Sequence, residues 1–237
     1  MASTLGYIAD WVALLSLLFC WIGYTVYSKR KSLTTPCLAN VLALYRQEWM
    51  LVFLQRDNKI SDVSLLTSLR SGVSFFASTS MLVIAGLVAG IASSEQAIGV
   101  LSAIPFVVTT TREMWEIKLL VMVVIFIYSF LEFTWSHRLY NFTCVVLGSA
   151  PMKEDIEKSQ VDRQVFVIKA KELMTEAAYH FNLGLRSYYF AMATMAWFIS
   201  PWLLVLTSMM VVGVLYRREF HSKVLKILML NAQSVNI

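Results

Sequence analysis

Glu132 is a carboxylate inside an otherwise apolar run, residues 115–141, of the kind that crosses a bilayer. In hydrocarbon such a group is costly unless it is paired or neutralised, so its presence calls for a partner or a purpose. Arg70 and Arg186 stand where two other apolar runs begin. Arginine side chains snorkel far enough to bridge a modest difference in depth. A protonatable carboxylate beside arginines can relay protons or hold an anion. The structural alternative is a buried ion pair that fastens three helices, and it is the simpler expectation. His137, Arg138, His180 and Asn182 fall near the same end of these runs. Histidines there could gate on pH or bind a metal. No HxxxH or ExxH spacing supports a ligand set, so hydrogen-bonded interfacial histidines are expected and no metal is.

Other chemistry finds no support. The three cysteines, Cys20, Cys37 and Cys144, show no CxxC spacing and read as free thiols. There is no GxSxG elbow, no Gly-rich phosphate loop and no cofactor motif. The expectation is a non-enzymatic protein without a cofactor. An NFT sequon at Asn141 falls at the end of an apolar run, where it would go unused.

The elements that position these residues are membrane spans. Of 237 residues 58% are hydrophobic, and the mean hydropathy is +0.64. Soluble domains are nearer ~45–50% apolar, so the excess points to lipid. The pI of 9.1 could suggest nucleic acid, but the basic residues flank apolar runs and form no separate patch, so no nucleic-acid partner is expected. The N-terminus lacks the basic start of a signal peptide, and the first apolar run is expected to stay as an anchor.

Four runs reach the ~20 residues that a bilayer core requires: about 7–27, 71–94, 117–139 and 187–216. The fold class is therefore all-α, a polytopic four-helix membrane bundle in a single domain over 1–237. The last run is longer than the core, and Pro201 is its expected kink. The second carries a small-residue face (Gly72, Ser78, Gly86, Gly90 among others) that lets helices approach closely in lipid.

Lys and Arg set the orientation. Seven lie in 28–70 and seven in 138–186, but only Arg112 lies between spans two and three. The positive-inside rule puts the two basic segments in the cytoplasm and the N-terminus outside. With four spans the tail after Tyr216 falls outside, although it carries Arg217, Arg218, Lys223 and Lys226. Glu132 then lies in the inner third of the core.

The two basic segments read as amphipathic helices, about 36–58 and 154–185. Thr35-Pro36 resembles a cap followed by proline at the first helical position. Leu38, Leu42, Tyr45, Trp49 and Val52 form one stripe, and Phe166, Ala170, Leu173, Ala177 and Phe181 another. Mutual packing is expected. LGSAP at 147–151 reads as a helix stop. The outer loop, 95–116, is apolar but broken by Pro105, as in an interfacial or re-entrant segment. Trp197 and Trp202 flank Pro201 as packing wedges.

Six segments occur in order: YRQEWM (45–50), SLRSGVSFFASTSM (68–81), WEIKLLV (115–121), WSHRLYN (135–141), FNLGLRSYYFA (181–191) and LYRREF (215–220). Together they resemble the bacterial branch of the membrane family called domain of unknown function 599, which also has plant members. The resemblance implies a four-span helical membrane protein and carries no catalytic residues across.

These readings point to an integral protein of the bacterial inner membrane, acting as a scaffold or accessory subunit. The alternative is a small oligomeric transporter or channel built on Glu132, Arg70 and Arg186. The expected partners are the lipid bilayer and either a second copy or another membrane subunit.

Overall fold

A computed structural model describes residues 2–101, 111–152 and 160–232. Every regular element among them is helical. In chain order they are α1 (Ala2–Lys31), α2 (Leu38–Gln55), α3 (Ile60–Ala92), α4 (Ser94–Leu101), α5 (Arg112–Gly148), α6 (Gln160–Met195), a 3-10 turn (Ala196–Phe198), α7 (Pro201–Phe220) and α8 (Lys223–Ala232). Much of the outer loop, 102–110, and the start of the second amphipathic segment fall outside the described residues.

Three helices are long and apolar enough to cross a bilayer: Tyr7–Lys31 within α1, Ile60–Ala92 and Arg112–Gly148. The fourth expected span is not one helix. Its uncharged stretch is divided between the end of α6 and α7, with the 3-10 turn and Ile199–Ser200 in between. Pro201 opens α7 at the first helical position, where its missing N–H costs nothing, and the Ser200 carbonyl accepts from the N–H groups of Leu203 and Leu204. The expected kink is a turn. Thr207 faces the carbonyl of Ala193 at 3.3 Å, and Arg218 donates to the Tyr189 hydroxyl at 2.8 Å. Residue numbers that fall on one leg as they rise on the other describe an antiparallel helical hairpin.

Contacts divide the chain into two compact units, with α3, α5, α6 and the end of α7 contributing to both. The first comprises Met1–Thr35, Thr79–Phe130 and Gly184–Arg218. Its core is formed by Leu17, Ile125, Phe126, Phe190, Trp197 and Leu204 with their neighbours. Trp197 is the wedge expected of it, whereas Trp202 is 67% exposed and wedges nothing. At one end of this unit the Lys31 ammonium donates to the hydroxyls of Tyr216 (2.7 Å) and Tyr27 (3.2 Å). The C-terminal ends of α1 and α7 therefore lie together. A tail emerging on the opposite side from the SKRK turn required a single last crossing, and the hairpin removes that requirement.

The second unit comprises Pro36–Ser78, Leu131–Leu183 and Glu219–Ile237. Here the amphipathic segments pack on each other: Phe53 of α2 stacks on Phe166 of α6, with centroids 6.2 Å apart. The α6 stripe buries Phe166, Ala170 and Ala177 as expected, along with Val167 and Met174. The α2 stripe is rotated from its expected place. Val41, Met50, Phe53 and Leu54 are buried, and Val52 is exposed. Cys37, not Thr35, precedes the first helical residue. Tyr45 and Trp49 point their polar tips into contacts: Tyr45 donates to the Leu228 carbonyl of α8 at 3.0 Å, and Trp49 to Asp62. Burial pulls the pKa of Arg46, also on α2, below its ordinary value.

The helix ends differ from expectation mainly by length. α3 begins at Ile60, not near 71, and α5 runs unbroken to the Gly148 stop that LGSAP signals. α6 passes Arg186 without interruption, so the amphipathic segment and the following apolar stretch share one helix.

Candidate functional site

Glu132 is not paired with either expected arginine. Its Oε2 lies 2.6 Å from Nδ1 of His180, so the partner comes from α6 in the same unit. One turn along, the Ser136 hydroxyl donates to the Ala177 carbonyl at 2.6 Å. These two contacts join α5 to α6 in antiparallel register. The His180 ring meets Trp135 and Tyr179 edge-on, at centroid distances of 6.2 and 5.5 Å. Its Nε2 is 4.0 Å from the exposed Glu176 carboxylate. Nearby, Phe76, Phe133 and Phe181 pack ring against ring, with centroids within 5.7 Å. A carboxylate on Nδ1 fixes a histidine's tautomer and orientation, the arrangement that also prepares a catalytic base. Here the pair bridges two helices.

The other expected site residues go elsewhere. Arg70 lies 3.7 Å from Cys144 Sγ, and its Nε is buried without a hydrogen-bond partner. Arg186, in the first unit, donates to Ser28 at 3.0 Å and sits 5.4 Å from the centroid of the Tyr24 ring. His137 has a buried, unpartnered Nδ1. Arg138 is exposed over Phe142, and Asn182 is exposed. Among the described residues no three His, Cys, Asp or Glu side chains form a metal-sized group.

On α3 the small residues divide: Ser80 is buried, with its hydroxyl 2.9 Å from that of Tyr188, while others face outward. Gly72, Ser78 and Gly86 are exposed, and a Cβ built on Gly72 or Gly86 would meet nothing within 4 Å. Of the expected glycines only Gly90 has a neighbour that close: a Cβ built there would lie 3.8 Å from Leu119 Cδ1.

Two polar centres were not foreseen. In the first unit, buried Asp10 accepts from the Trp197 indole N–H at 2.6 Å and lies 3.4 Å from the Lys118 ammonium. Lys118 is only 4% exposed; it donates to the Trp197 carbonyl at 3.1 Å and sits 5.4 Å from that ring's centroid. An acid on α1 and a base on α5 thus both hold Trp197 at the turn of the hairpin. Each buried charge has an opposite charge and a hydrogen bond, the condition under which burial is tolerated. In the second unit, Asp62 is 0% exposed and accepts from Trp49 Nε1 at 2.6 Å and Arg56 at 2.5 Å. It stands in the first turn of α3, where the helix dipole favours an anion. Lys118 was visible as a charge inside a span. Nothing in the sequence tied it to a residue 108 positions earlier.

Among the described residues the architecture is all-helical and three helices are long and apolar enough to cross a bilayer, which supports a helical membrane protein. The chain belongs to the family described as "Protein of unknown function, DUF599", whose model matches residues 12–224. No curated protein and no solved structure matches.

Proposed function

We propose that this is a non-enzymatic scaffold or accessory subunit of the bacterial inner membrane, engaging a second copy or another membrane protein through α3. The observation that carries this reading is the bareness of that helix. Only 6% of its most apolar stretch is buried, against 44% for α5. Its outward face carries the small residues Ser71, Ser74, Ser78, Ala85 and Gly86 beside the bulky Phe75 and Leu82, 66% and 75% exposed. Lipid contacts reward bulk, and small residues serve close helix approach. Two carboxylates of the apolar runs are occupied: Glu132 by His180, and Asp10 by Lys118 and Trp197.

The topology that fits best has three crossings and one hairpin. Nine uncharged residues of α6, 187–195, lead into the turn and sixteen of α7, 201–216, lead out of it. Those are about 14 and 24 Å of helix, short of a ~30 Å core. Whether the hairpin crosses fully or dips, its two ends share a side. Eighteen of the twenty Lys and Arg then fall on that side, all but Arg112 and Lys118. Arg112 is itself neutralised by Glu95 (2.5 Å) and Glu116 (2.8 Å). The positive-inside rule makes this side the cytoplasm and leaves the N-terminus outside.

Extraction of the full-length protein in mild detergent, followed by native mass spectrometry, tests the scaffold reading. A stoichiometric partner or a defined oligomer is expected, and a lone monomer under all conditions overturns it. The unpartnered Arg70 Nε and His137 Nδ1 favour a second reading, a small oligomeric transporter. Proteoliposome flux that Arg70→Gln abolishes would put this reading in front.

A further inference from the structure

The first unit holds a groove of about 570 Å³ between α1 and α7. That is inside the ~300–1,000 Å³ range of small-ligand sites. Its walls are apolar and aromatic, with Phe19 and Met209 along its length and Tyr27 and Tyr216 at one end. Gly23 and Gly213 keep it open: a Cβ added at either would meet nothing within 4 Å. Any larger residue at these positions would occupy the trough.

The tyrosine end is strongly cationic. Lys31 is fixed there by both hydroxyls, and its ammonium lies 4.5 Å from the Tyr216 ring centroid. Lys29 and Arg30 share its helical turn, and Arg217 and Arg218 occupy the last turn of α7. No acidic residue occurs in 11–35 or 201–218, and Glu219 follows directly on Arg218. An apolar trough that ends in tyrosines and five cations has the polarity of a lipid with a negative head: chain along the helices, phosphate at the interface.

We propose that the groove binds one anionic phospholipid, an acyl chain lying over Gly23 and Gly213 and the headgroup phosphate meeting the Lys29–Lys31 and Arg217 end. The charge pattern argues against a second copy in this place. Two copies in one membrane share an orientation, so their cationic ends would meet at the same depth and repel.

The test compares phosphatidylglycerol, phosphatidylcholine with the same chains, and inorganic phosphate, each added to full-length protein in a neutral detergent. Binding is read by native mass spectrometry and by the shift in melting temperature. Phosphatidylglycerol is expected to bind at least tenfold tighter than phosphatidylcholine, and phosphate alone to give no shift. Gly213→Leu, which fills the trough without a clash, should weaken both lipids tenfold or more while the helical signal and lipid-free melting stay unchanged. The Lys29→Gln, Arg30→Gln double variant should erase only the preference for the anionic lipid. Equal binding of the two lipids overturns the proposal, as does full binding by the Gly213→Leu protein. A shift with phosphate alone would make this a free-anion site. Loss of an oligomer in Gly213→Leu would give the groove to a helix. Either result also overturns it.

Discussion

The Lys31 ammonium donates to the Tyr216 hydroxyl at 2.7 Å, joining the last turn of α1 to the last turns of α7. Whichever side of the bilayer holds the SKRK turn therefore also holds Arg217 and Arg218. In a cysteine-free background, Leu33→Cys and a C-terminal reporter should both report the cytoplasm. Trp202→Cys, at the opposite end of α7, should react with an impermeant thiol reagent from outside. Residues 33 and 202 are 84% and 67% exposed, so the protein itself covers neither.

The Asp10–Lys118 pair makes a sharper energetic prediction. Lys118→Met leaves Asp10 buried without its cation, a loss of about 3–5 kcal/mol. That corresponds to a fall in melting temperature of about 10 °C for a chain of this size. Asp10→Leu combined with Lys118→Met removes both charges and should recover most of the loss. Thermal unfolding followed by circular dichroism in detergent distinguishes the two outcomes.

At Glu132 the prediction separates charge from contact. Glutamine keeps a hydrogen-bonding oxygen within reach of His180, so Glu132→Gln should cost less than about 1 kcal/mol. Glu132→Leu strands the His180 Nδ1 and should cost about 1–3 kcal/mol. Chemical denaturation of the two variants reads the difference. On the scaffold reading neither variant changes ion flux in proteoliposomes.

The outward face of α3 gives a variant that should not disturb the fold. A side chain at Gly86 meets open space, so Gly86→Leu should leave melting unchanged while dissociating the oligomer or partner. Size-exclusion chromatography with multi-angle light scattering measures both the mass and its loss.

Much of this architecture was legible because hydropathy and periodicity are local. The long apolar runs, the Gly148 stop and the α6 stripe around Ala170 and Ala177 all follow from neighbouring residues. The rotation of the α2 stripe was not legible. It depends on the polar tips of Tyr45 and Trp49 finding Leu228, 183 residues on, and Asp62, 13 residues on across the turn into α3. Pro201 was ambiguous for a different reason: the same residue kinks a continuing helix or opens a new one. Only the preceding 3-10 turn, which Trp197 anchors, selects the second. The partner of Glu132 was missed because depth along a span was judged from span ends. α6 continues through the expected boundary and brings His180, not an arginine, to the carboxylate.

During synthesis, residues 187–216 leave the ribosome as thirty uncharged residues, long enough to be read by the insertion machinery as one segment. The finished chain turns back at their midpoint. What receives the turn was made long before: Asp10 and Lys118 precede Trp197 by 187 and 79 residues. The late hairpin thus rests on an acid and a base supplied by helices synthesised early.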